Sequence, residues 1–96
     1  MRRNEDFILR SVGDMTVIIP VGPAVRRFPG MISVNETGGF LWERLEREQT
    51  LRDLARALEA EYQVTYSDAE ADAAAFLDQL RAAGALIETQ TGDEGL

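Results

Sequence analysis

The stretch Met31-Ile32-Ser33-Val34-Asn35-Glu36-Thr37-Gly38-Gly39-Phe40-Leu41-Trp42 divides the chain: apolar residues alternate before it and follow helical spacing after it. It reads as a strand running straight into a helix. Met31, Ile32 and Val34 favour extended backbone, and Asn35 is a good N-cap because its side-chain oxygen can accept an orphan N–H of the first turn. Glu36 then meets the positive end of the helix dipole. Trp42, the only tryptophan, falls one to two turns in, where its bulk would pin the helix to the strands. Gly38 and Gly39 each cost about 1 kcal/mol of helix propensity against alanine, so the pair implies that another backbone approaches the start of this helix closely.

Towards the N-terminus, Phe7-Ile8-Leu9-Arg10-Ser11-Val12 and Met15-Thr16-Val17-Ile18-Ile19-Pro20 are strands joined by Gly13-Asp14, a pair suited to a type II′ turn, and so predict a hairpin. Residues 1–6 are charged and predict a frayed tail. Val21 to Gly30 holds Gly22-Pro23 and Pro29-Gly30 and reads as a loop, with Arg26-Arg27 as its charged tip and Phe28 in reach of the core.

Towards the C-terminus, the first helix is predicted over about Glu36 to Arg47, with Leu41, Trp42 and Leu45 facing inward. Thr50 caps a second helix whose apolar stripe is Leu51, Leu54, Ala55, Leu58 and Tyr62. Ser67-Asp68-Ala69-Glu70 reads as a capping box opening a third helix, with Ala69, Ala73, Phe76, Leu77 and Leu80 on one face and Gly84 at its end. Leu86-Ile87-Glu88 adds a short extended piece before a polar, acidic tail at residues 89–96. The fold class expected is α+β: three antiparallel strands, then a three-helix, winged-helix-like bundle, in a single domain of 96 residues.

The chain contains no cysteine and no histidine. Disulfides, thiolate and imidazole metal sites, and nucleophiles or triads built on Cys or His are excluded with them. The pairs Asp68 with Asp72 and Glu43 with Arg47 sit at i, i+4 on exposed helix faces, where solvated charges and ordinary ion pairs are expected; no catalytic residue, metal or cofactor is predicted. No apolar run reaches the roughly 20 residues of a membrane helix, and Met1 to Asp6 lacks the apolar core of a signal peptide, so a cytoplasmic protein is expected. All ten basic residues are Arg, and the net charge of −7 is uneven: a surplus of two positive charges up to Asn35, and of nine negative charges after it. A DNA-reading helix needs basic residues, whereas the third helix carries Asp68, Glu70, Asp72 and Asp78 against Arg81 alone, so no nucleic-acid partner is expected.

Two features point to binding. The third strand, Met31 to Val34, either joins the hairpin or leaves an edge whose N–H and C=O groups are open to an incoming extended peptide; an ordinary interior or protected strand is the plain alternative. Beside it, Asp72, Phe76 and Leu80 lie at i, i+4, i+8 on the third helix, with Ala69 and Ala73 leaving room for a groove; the plain alternative is that Phe76, Leu77 and Leu80 are core.

The order and spacing of three segments resemble the PqqD-like proteins, also described as RiPP recognition elements. These are Ile32-Ser33-Val34-Asn35-Glu36-Thr37-Gly38 leading into Leu41-Trp42; Leu51-x-x-Leu54-Ala55-x-x-Leu58 ending in Glu61-Tyr62-x-Val64; and Asp72-x-x-x-Phe76-Leu77-x-x-Leu80-x-x-x-Gly84-x-Leu86. Together they cover about two-thirds of the chain. Ala85 departs from the pattern, which there usually carries a branched apolar residue. The resemblance implies a non-enzymatic domain that binds the leader of a ribosomally made precursor peptide by strand addition. It implies presentation to a modifying enzyme, often a radical S-adenosylmethionine enzyme, in peptide natural-product or PQQ-type biosynthesis. It further implies that Met31, Ile32, Ser33 and Val34 pair with the peptide and that Asp72, Ala73, Phe76, Leu77 and Leu80 line its groove. A winged-helix DNA-binding or structural adaptor domain is the alternative class. A monomer is expected, or a dimer in which the hairpin swaps across its Gly/Pro loop.

Overall fold

The computed structural model describes residues 1–88 of the 96. In chain order they form β1 (Arg2–Arg3), β2 (Phe7–Val12), β3 (Met15–Pro20), α1 (Ala24–Arg27), β4 (Ile32–Val34), α2 (Glu36–Arg44), α3 (Leu51–Tyr62), α4 (Tyr66–Ala83) and β5 (Leu86–Ile87). The third predicted strand is thus β4, and the third predicted helix is α4. The α+β order holds, and the predicted acidic tail at 89–96 lies outside the described residues.

β2 and β3 pair antiparallel from Phe7↔Pro20 to Val12↔Met15. Gly13 takes a φ of +62° while Asp14 does not enter the left-handed region, the backbone of a type II′ turn. β4 adds to the far side of β3 in the register Thr16↔Val34, Val17↔Ser33, Ile18↔Ile32, giving the order β2-β3-β4. Among the described residues β2 and β4 therefore each leave one side without a strand partner.

Alternation along the strands sends Phe7, Leu9, Ile18, Ile32 and Val34 towards the helices, where they join one core cluster with Leu41, Trp42, Leu54, Leu58, Leu77 and Leu80. The predicted stripes of α2 and α3 are the faces that are buried. Asn35 caps α2 as expected, its Oδ1 accepting from the Gly38 N–H at 2.9 Å. Thr50 caps α3 in a reciprocal box with Asp53.

Three expectations need correction. Residues 1–6 are not a frayed tail: β1 pairs antiparallel with β5, Arg2 opposite Ile87 and Arg3 opposite Leu86. The Asn4 N–H donates to the Ala85 carbonyl at 2.9 Å, and the terminal ammonium donates to Glu48 and to the Gln49 carbonyl. This ribbon also explains why α2 stops at Arg44 rather than Arg47. The Arg3 N–H donates to the Leu45 carbonyl at 2.8 Å and its guanidinium to the Trp42 carbonyl at 3.0 Å, so strand β1 takes up carbonyls at the helix end. Finally, α4 opens at Thr65 instead of Ser67, with the Asp68 N–H donating to Thr65 Oγ1 at 3.1 Å. Starting earlier brings Tyr66 into the first turn, packed against the core and under the Arg56 guanidinium.

One shorter difference concerns Val21 to Gly30, where a single helical turn, α1, interrupts the predicted loop. Its Ala24 is buried, and Phe28, just past it, meets Phe7 with ring centroids 6.3 Å apart.

Candidate functional site

The site is built on the open side of β4. In a two-residue hairpin the residues flanking the turn exchange both hydrogen bonds, so Val12/Met15, Arg10/Val17 and Ile8/Ile19 are the bonded pairs, and Pro20 falls at a position that needs no donor. Thr16 and Ile18 then turn their N–H and C=O groups towards β4, where they meet Val34 and Ile32. The consequence is a division of labour along the strand. Ile32 and Val34 spend their backbone groups on β3, while Ser33 directs its N–H and C=O outward, with Met31 next in the alternation. The open run ends at Asn35, whose carbonyl accepts from the Gly39 N–H at 3.0 Å in the first turn of α2.

Alongside this edge lies a groove in two compartments. The first, about 400 Å³, is lined by Ser33, Val34, Asn35, Phe76 and Gln79. The second, about 210 Å³, lies further towards the start of α2 and is lined by Asn35, Thr37, Gly38, Leu41, Asp72, Ala75, Phe76 and Gln79. Phe76 belongs to both, together with Asn35 and Gln79. Gly38 is what lets the Phe76 ring sit there: a Cβ at this position would lie 3.3 Å from Phe76 Cε1 and 3.2 Å from Val34 Cβ. The close approach read from the glycine pair is therefore to the side chains of Phe76 and Val34, not to another backbone, and it concerns Gly38 alone, since a Cβ at Gly39 would meet nothing within 4 Å.

Of the residues singled out in α4, Asp72 and Phe76 line the groove. Ala73, Leu77 and Leu80 are fully or almost fully buried in the core cluster and line neither compartment. Sequence reasoning missed Ala75 and Gln79. Their positions complete an i, i+3, i+4, i+7 stripe from Asp72 through Phe76, the signal that could have found them.

Past the end of β4 the edge continues into an open hollow of about 550 Å³ lined by Asp14, Met15, Thr16, Ser33, Val34, Asn35, Glu36 and Gly39. Glu36 accepts a hydrogen bond from the Tyr62 phenol at 3.3 Å. Desolvation, followed by the charge of Glu36, holds that phenol above its ordinary value of 10.0. Ring contact between Phe40 and Tyr62, edge to face with centroids 5.6 Å apart, ties the same two helices together. Among the described residues no group of three or more Asp, Glu, His or Cys side chains is arranged to hold a metal ion, and no helix is long and apolar enough to cross a membrane.

Comparison with known proteins adds three findings. The family model for coenzyme PQQ synthesis protein D (PqqD) matches residues 17–86, a span that includes β4, the whole groove and α4. The chain is similar in structure to TbiB1 in complex with the TbiA(beta) leader peptide, with a TM-score of 0.70 at 20% identity over 93% of this chain and 98% of that one. It is similar to lasso peptide synthetase B1 complexed with the leader peptide, with a TM-score of 0.68 at 24% identity over 91% of this chain and 96% of that one. At these identities the likeness is one of fold. No curated protein sequence matches the chain.

Proposed function

This chain belongs to the PqqD family, and we propose that it binds the leader segment of a ribosomally synthesised precursor peptide as an added strand and presents it to a modifying enzyme. The observation that carries this reading is the unpaired side of β4 lying directly beside the Phe76 groove. Main-chain hydrogen bonds, each worth about 1 kcal/mol net, fix the register of such a peptide without demanding a particular sequence, and the groove selects alternate side chains. The two solved structures of similar fold support it, both being complexes with leader peptides.

In this reading Ser33 and Met31 supply the ladder, Ile32 and Val34 hold the edge in place against β3, and Asp72 and Phe76 meet the peptide's side chains. Ala73, Leu77 and Leu80 act from behind, as the packed layer that fixes the groove wall. The domain does no chemistry of its own; bond making belongs to the partner, a radical S-adenosylmethionine enzyme or another peptide-modifying enzyme of the cytoplasm. The product of the pathway, PQQ or a different peptide-derived compound, is set by that partner and the precursor. The working form is a monomer, or a dimer that exchanges its hairpin across Val21 to Gly30, and light scattering distinguishes them.

The test is a titration of isotopically labelled protein with the precursor peptide encoded beside its gene, followed by amide NMR. Shifts concentrated at Met31 to Val34 and along Ala69 to Leu80 are expected. A peptide that leaves both segments unmoved would overturn the reading. A mobility-shift experiment at low salt is expected to show no DNA complex, because α4 presents four acidic side chains and only Arg81 as a base.

A further inference from the structure

The second compartment of the groove has a chemistry the peptide ladder does not use. Its floor is apolar, with Leu41 at 1% exposure and Phe76 at 7%. Its single ionisable side chain is Asp72, which is exposed and makes no hydrogen bond or ion pair among the described residues. No base on its own helix is available to it. Arg81, the only one, is held by Asp78 at 3.1 Å and by Glu88. Of the neutral polar groups that line it with the Gln79 amide, Asn35 Oδ1 already accepts from the Gly38 N–H at 2.9 Å and from the Thr37 hydroxyl at 3.0 Å. An apolar wall of Leu41, Ala75 and Phe76 beside an uncompensated carboxylate matches a side chain with an aliphatic stem and a cationic head.

Resting on the peptide reading above, we propose that this compartment is a charge-selecting subsite. It takes a lysine or arginine of the bound peptide, placed two residues from the apolar side chain seated in the first compartment. The spacing follows from strand geometry: side chains on one face of an extended peptide recur every second residue, about 6.6 to 6.8 Å apart, and the two compartments adjoin, sharing Asn35, Phe76 and Gln79 in their linings. The stem lies over Phe76 and Ala75, and the head reaches Asp72. An acidic residue at the same position meets Asp72 within the field of Asp68 and Glu70 on the same helix, and is rejected.

Selection of displayed random peptides of about ten residues on the full-length protein, in parallel with Asp72→Lys and Asp72→Asn, tests this. Because Asp72 is exposed, both variants are expected to melt with the parent. The parent should enrich Lys or Arg at one fixed position two residues from an apolar residue, and Asp72→Lys should enrich Asp or Glu there. The best parental peptide should bind Asp72→Asn roughly three- to tenfold more weakly, with the gap narrowing as salt is raised. If parent and Asp72→Lys enrich the same residue at that position, the charge subsite is wrong while strand addition stands. If enriched peptides bind without moving the Ser33 amide, or if none is enriched, the peptide reading fails and takes the subsite with it.

Discussion

Gly38 and Gly39 are adjacent glycines in the first turn of one helix, yet the structure gives them opposite roles. A methyl group at Gly39 meets open space and should recover helix propensity, so Gly39→Ala is expected to stabilise by about 0.5 to 1 kcal/mol. The same methyl at Gly38 presses on Val34 Cβ, on the capping Asn35 Oδ1 and on the Phe76 ring, all between 3.2 and 3.3 Å, so Gly38→Ala should destabilise by about 1 kcal/mol or more. Denaturant midpoints of the two variants give the comparison, and a matched gain for both would refute it. Phe76 serves core and groove together. Phe76→Leu should cost about 1 kcal/mol in stability and roughly tenfold in peptide affinity, whereas Phe76→Ala, at about 3 to 5 kcal/mol, threatens the fold itself. A melt run beside each binding isotherm separates the two effects. Tyr62 contributes a pH dependence at the alkaline end. Its folded value lies above the unfolded 10.0, so the neutral phenol's contribution is fully present below pH 10 and is lost as pH rises through the folded value. Absorbance titration at 295 nm, differenced against Tyr62→Phe, should place this ionisation above 10.0, and Glu36→Gln should bring it back down.

Among the elements, those with periodicity were the most legible. The hairpin, the β4–α2 junction and the stripe of α3 are each long enough for spacing to identify the buried face, and Asn35 and Thr50 announce their helices by side-chain chemistry. The start of α4 was misread because two capping signals overlap, Thr65-x-x-Asp68 and Ser67-x-x-Glu70, and only the packing of Tyr66 against the core decides between them. β1 and β5 are two residues each and have no period to read; Leu86-Ile87 was expected to be extended, but β1 and its pairing with β5 were not, because tertiary contacts hold them. For the site, the open edge and Phe76 could be named from sequence, but the division of β4 into inward and outward residues needed the hairpin register. The β1–β5 ribbon makes its own prediction. Arg3 covers the Trp42 ring, 5.6 Å from its centroid, while capping the end of α2, so Arg3→Ala should lower stability by about 1 to 2 kcal/mol. Calorimetry checks this, and an unchanged melting temperature would mean the ribbon is ornamental to the fold.

Across the whole molecule, the strands carry the positive surplus and the helices the negative one, so a cationic peptide approaches β4 down a favourable field from the α4 side. Among the described residues the sheet at the centre of that field is open on both flanks. On β2, alternation turns the backbone groups of Leu9 and Ser11 outward, just as it does those of Ser33 on β4. In the vocabulary of polymer growth the protein has the two ends of a bifunctional monomer: were β2 of one copy to pair with β4 of the next, the linkage would be head-to-tail, and a peptide seated on β4 would act as its chain stopper. Occupancy of β4 should therefore keep the concentrated protein monodisperse.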